Sequence, residues 1–135
     1  MPDISIVNPK TMGPPLSLYG QIARVRASEF VFISGQLATD LDGKVVGADD
    51  FDAQMKQVFS NIEAALQSVG ATFANVVQFT TYLVHSQDVA NFRRVREQLF
   101  PTIFPTHRYP PKTLLVVDRL VQEVFLIEIE TIAAL

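Results

Sequence analysis

Apolar residues recur along the chain with two different periods. From Asp50 to Val69, the residues Met55, Val58, Phe59, Ile62, Ala65, Leu66 and Val69 fall three and four apart, which predicts one amphipathic helix. Asp49 or Asp50 can accept hydrogen bonds from the free amides at its start, and Gly70 can adopt the left-handed conformation that closes its end. A second helix is expected after Ser86, a candidate cap. It carries Val89, Phe92, Val95 and Leu99 inward, presents Arg93, Arg94, Arg96 and Glu97 outward, and stops at Pro101.

Elsewhere the period is two. Val76 to Val84 reads as a strand with Val77, Phe79, Thr81 and Leu83 on one side. Gln21 to Arg26 and Glu29 to Ser34 are short β-prone runs separated by Ala27 and Ser28, the pattern of a hairpin, and Thr113 to Val117 and Val124 to Ile132 supply the last two strands. The first twenty residues, broken by Pro2, Pro9, Gly13, Pro14 and Pro15, are expected to form a loop, as is Phe104 to Pro111. The order β-β-α-β-α-β-β predicts an α+β domain, a mixed sheet with two helices on one face and nothing evident on the other. The last strand points Phe125, Ile127 and Ile129 one way and Leu126, Glu128, Glu130 and Ile132 the other. A half-apolar outer face with two carboxylates suggests a subunit interface that holds a polar cleft.

Composition sharpens this picture. At 135 residues a single domain, 1–135, is expected; 48% hydrophobic against 19% charged residues leaves more apolar surface than a small monomer readily hides, which favours self-association. With no cysteine, disulfides and thiolate chemistry are excluded, and a reducing, cytoplasmic setting is expected. No segment has the run of apolar residues of a membrane span, and the start lacks a secretory pattern, so no membrane partner is expected. A net charge of −3 argues against nucleic acid as a partner. His85 and His107 lack metal-ligand spacing, and Ser34 has no nucleophile-elbow setting, so neither a metal site nor a covalent serine mechanism is supported.

Several spaced motifs carry a resemblance along nearly the whole chain: Tyr19-Gly20-Gln21, FISGQL at Phe32 to Leu37, the helical run Phe59 to Leu66 followed by Val69-Gly70-Ala71, and the tail Ile127 to Ala133. In order and spacing they resemble the Rid family of reactive intermediate deaminases, also known as YjgF or L-PSP endoribonuclease-like proteins. The resemblance implies a chorismate-mutase-like fold, a barrel-like homotrimer with sites between subunits, and hydrolysis of 2-imino acids or their enamine tautomers without metal or organic cofactor. It places Glu128 as the water-orienting glutamate and Tyr19 as the pocket tyrosine, the two catalytic candidates. Ser34 and Gly35 become pocket wall, and Leu114 joins the substrate-binding residues.

The chain departs from the family pattern in its cations. Lys112 stands at the position of the carboxylate-binding arginine, and a lysine offers one compact charge in place of a planar fork. Arg108, in the preceding loop, is an alternative anchor; Arg93 replaces a helix asparagine, and Arg96 stands where an aromatic is common. A more basic pocket for a larger or differently placed anion is expected. The competing readings are a non-catalytic carboxylate-binding trimer and, further back, a ribonuclease or a chaperone-like protein.

Overall fold

The computed structural model describes all residues from Met1 to Leu135. Six strands and two helices follow one another as β1 (Asp3–Val7), β2 (Ile22–Arg26), β3 (Phe30–Gln36), α1 (Phe51–Ser68), β4 (Val76–Leu83), α2 (Asp88–Ile103), β5 (Lys112–Val116) and β6 (Ile127–Ala134). β3, β6, β4 and β5 form a four-stranded sheet in that order. The β4–β5 pair is parallel and the others are antiparallel, so the sheet is mixed and the α+β expectation stands.

Both helices lie on one face. Met55, Val58, Ile62 and Leu66 of α1 and Phe92, Val95 and Phe100 of α2 are buried against Phe79 and Leu83 of β4 and Ile127 and Ile129 of β6. Phe59, Phe79, Phe100 and Phe104 interlock mainly edge to face, with ring centroids 5.0–6.3 Å apart, the geometry that opposed aromatic quadrupoles favour. The Asp50 carboxylate caps α1 by accepting from Ala53 N at 3.1 Å, and Gly70 follows the helix at φ 76°, as the sequence predicts.

Four expectations need correction. The first twenty residues are not all loop, because Asp3–Val7 forms β1, which pairs antiparallel with β2. β2 and β3 are consequently no hairpin: β2 turns to β1, while β3 pairs with β6, and the Ser28 and Glu29 amides both donate to Leu135 O. The open face of the sheet is covered at one end, where Ile4 packs on Val77 and Ala134, with Ile6, Ala23, Val25 and Ile132 around them. A bulge between Val76 and Gln78 lets successive residues bury in opposite directions, Val76 under the helices and Val77 under the ribbon. Finally, Pro101 sits inside the last turns of α2, which runs on to Ile103, and the residue before α2 at its N-cap is Gln87, whose side chain makes no capping bond, in place of Ser86.

Gln54 ties this layer to the start of β6. It is fully buried; its Nε2 donates to Gly47 O (3.1 Å) and Val124 O (2.8 Å), and its Oε1 accepts from Leu126 N (2.8 Å). Truncation would strand three partly buried backbone groups, each costly without a partner. Gln54→Ala is therefore expected to lower unfolding free energy by about 3 kcal/mol, measured as a lower urea midpoint at unchanged slope.

Candidate functional site

β6 divides its side chains between two environments. Ile127, Ile129 and Thr131 are buried beneath the helices, so Glu128 and Glu130 project from the opposite face, beside Tyr82 and Thr80 of β4. The Tyr82 hydroxyl donates to Glu130 Oε1, whereas the half-buried Glu128 carboxyl has neither a hydrogen bond nor an ion pair. Glu128 lies directly across Gly35, where a Cβ would overlap its carboxylate. Partial burial, and secondarily the neighbouring Glu130, push its pKa above the ordinary carboxylate range.

Gly35 is held in place from the helix side. The β3–β6 register shifts between Ile33 and Gln36, and Asn61 of α1 donates to Leu37 O and Thr39 O at 3.0 Å. The motif residues Ser34-Gly35-Gln36 and Asn61-Ile62 thus cooperate, one shaping the floor beneath Glu128 and the other fixing the strand end. Exposed Ser34 lines an adjoining open groove of about 280 Å³ with Phe32, Gln78, Thr80 and Glu130.

Lys112 belongs to the other side of the sheet. It is paired in register with Phe79, so it faces the helix layer, with its Nζ 5.2 Å from the Tyr19 ring centroid and 5.6 Å from that of Phe92. Burial, then the positive charges of Arg96 and Arg93, bring its pKa down to about 8. Leu114, two residues on, is half-buried against the same core. Arg93 is exposed on α2 and acts on this cluster through its charge.

Arg108 does not join the cluster through its guanidinium. Its NH1 donates to Ile4 O at 2.6 Å and its NH2 to Ala74 O at 3.4 Å, so it fastens β1 to the loop before β4. Its loop nevertheless shares a shallow groove with Tyr19, His107 and Tyr109. The structure therefore gathers Glu128, Gly35 and Ser34 on the open face, and Lys112, Tyr19 and Leu114 at the helix-side edge.

Arg96 departs from the outward placement expected of it. Assigned to the outer face of α2, it is instead 1% exposed, with its guanidinium carbon 5.1 Å from the Phe92 ring centroid and 6.0 Å from that of Phe100. The signal was present: Phe92, Arg96 and Phe100 are spaced by four, so all three share one side of the helix. Arg94 does face outward, with a bidentate pair to Asp52 at 2.8 Å.

No group of three His, Cys, Asp or Glu side chains converges as a metal centre would need. His85 lines a groove with Asp118, Arg119 and Glu123, away from His107, which contacts the Tyr109 hydroxyl. No helix is long and apolar enough to cross a membrane.

The family model described as Endoribonuclease L-PSP matches residues 12–135. The chain belongs to this family, the Rid or YjgF family. A RutC family protein of Pyrococcus horikoshii is 36% identical over 126 residues, covering 93% of this chain and 90% of that protein. The crystal structure of the Rid family protein YyfB from Yersinia pestis superposes with a TM-score of 0.88 at 31% identity, over 98% of both chains. E. coli TdcF, solved with bound serine, gives a TM-score of 0.70 at 25% identity over 79% of this chain and 81% of its own. The family model's match begins at residue 12, after β1, whereas the superposition on YyfB spans 98% of the chain.

The overlap at Gly35 yields a test of the Rid-type arrangement that needs no substrate. Gly35→Ala is expected to swing the Glu128 carboxyl toward water and return its titration toward 4.5, read by carbon-detected NMR, while the fold is retained.

Proposed function

We propose that the protein is a cytoplasmic homotrimer that hydrolyses 2-imino acids, or their enamine tautomers, to 2-keto acids and ammonia in clefts between subunits. The observation that carries this reading is the half-buried, unpaired Glu128 carboxyl across Gly35, set apart from an equally unpaired Lys112. Within one protomer the two side chains leave opposite faces of the sheet, so a cleft using both needs two copies. The exposed apolar side chains Phe30, Phe32 and Leu115 on the open face supply the surface for that association.

In the cleft, Lys112 holds the substrate carboxylate. The Tyr19 ring bounds the space beside it. Water attacks the iminium carbon and gives one proton to the Glu128 carboxylate, which passes it to the nitrogen of the tetrahedral carbinolamine; as the C–N bond breaks and ammonia leaves, Glu128 takes the hydroxyl proton and the ketone forms, and that second proton departs with the ammonia as ammonium. The balance is iminium plus water to keto acid plus ammonium, with no oxidant, reductant or cofactor consumed.

Two charge states must coexist: Glu128 ionised and Lys112 protonated. Activity then rises with pH as Glu128 loses its proton, above the ordinary carboxylate range, and falls as Lys112 loses its own near pH 8. A bell-shaped kcat/KM profile is expected for imino acids made in situ by an amino-acid oxidase and trapped with semicarbazide. Lys112→Arg should move the alkaline limb out of the measurable range, and Glu128→Gln should lower kcat by about 100-fold or more. Imine loss no faster than in the blank at any pH would refute the enzyme reading.

Lys112 at the arginine position favours a second reading, a trimer that binds a small carboxylate without turnover; the serine bound to TdcF shows a neighbour holding such a molecule. Ligand-dependent thermal stabilisation without imine loss would select it. The family description names ribonuclease activity. The net charge of −3 and the separation of the two histidines into different grooves argue against that chemistry here.

A further inference from the structure

The buried guanidinium of Arg96 is incompletely satisfied. Its NH2 donates to Ser17 Oγ, but its Nε and NH1 are buried with no hydrogen-bond partner, and no carboxylate forms an ion pair with it. Lys112 Nζ, likewise without an ion pair, lies beside the same Phe92 ring, so two cations share one aromatic side chain. Like charges this close repel, and burying them without a counter-ion is unfavourable. Aromatic faces and one hydroxyl offset only part of that cost.

We infer that Arg96 is a second anion-binding residue and that Lys112 and Arg96 together select a dianion, a 2-imino or 2-keto dicarboxylate, over a monocarboxylate. This rests on the reading of Lys112 as the carboxylate anchor and adds the class of substrate. One carboxylate sits at Lys112. The second, at the far end of a short chain, reaches the unpartnered side of Arg96.

The layer over Arg96 is suited to yield. From Gly13 to Ser17 the chain has no regular structure, and its anchors are few: the Leu16 amide donates to the Tyr19 hydroxyl at 3.1 Å, Gln21 Nε2 donates to Gly13 O at 3.0 Å, and Ser17 O accepts from the Tyr19 amide at 2.9 Å. Ser17 Oγ engages NH2 alone, which leaves Nε and NH1 as the donors for a carboxylate, a charged acceptor that bonds a cation better than a hydroxyl does.

Titration calorimetry on the full-length protein with a matched pair of product-type probes tests this directly. 2-Oxoglutarate and 2-oxopentanoate have the same carbon count and differ in the second carboxylate. Wild type is expected to bind the dicarboxylate at least about tenfold more tightly. Arg96→Gln should erase that preference while leaving 2-oxopentanoate within about twofold, and Arg96→Lys should restore part of it. Equal affinity of wild type for both probes overturns the inference and leaves the imine-hydrolase reading standing; this arm needs no variant to fold. Equal loss of both probes in Arg96→Gln also overturns it, by reducing Arg96 to a packing role. Binding of neither probe by wild type overturns this inference and the Lys112 anchor together.

Discussion

The period-two alternation of β6 is the constraint on which the site depends. Ile127, Ile129, Thr131 and Ala133 are drawn beneath α1 and α2, and that burial fixes the strand's register and rotation. A slip by one residue would bring Glu128 and Glu130 into the aromatic core and turn four buried side chains out, an exchange the hydrophobic term forbids. Glu128 therefore faces outward because its neighbours must face inward. Gln54, bonding to both sides of the turn into β6, and Asn61, bonding to the end of β3, hold the two strands on which Glu128 and Gly35 sit.

Charge is distributed in keeping with that geometry. Two arginines have structural partners: Arg94 forms an ion pair with Asp52 between the two helices, and Arg108 hydrogen-bonds the Ile4 carbonyl of β1. The three groups with no ion-pair partner at the site, Glu128, Lys112 and Arg96, are each withdrawn from water to different degrees, and burial is the largest cause of every one of their shifts. Arg96 itself is lowered to about 10. Buried charges without partners are costly, and that cost sets these three groups apart from the paired cations of the same chain.

Much of this was legible in the sequence wherever a local pattern determines the outcome. The caps of α1, the inward set on β6 and the outward Glu128 all follow from periodicity. What escaped were choices made between distant segments. β2 has the composition of a hairpin partner for β3, yet strand pairing is settled by what else is available, and β1, masked by flanking prolines, was the better partner. The charge of Arg96 points to the outer face of α2, but its spacing from Phe92 and Phe100 sets it on the inner stripe, and in the fold the spacing prevails. Its relation to Ser17, 79 residues away, has no local signature.

Opposite placement of acid and cations has a chemical consequence. Were Glu128 and Lys112 neighbours in one protomer, they would form an internal ion pair, lowering the carboxyl pKa, raising that of the ammonium and quenching both. The sheet between them prevents it. Each group keeps the shift its burial imposes: a carboxyl held above its ordinary pKa and an ammonium held below its own, each of which would gain from an opposite charge brought to it. In the proposed trimer the two meet only across a seam, with the substrate between them, so a single folded subunit carries every residue of the site and still cannot assemble it.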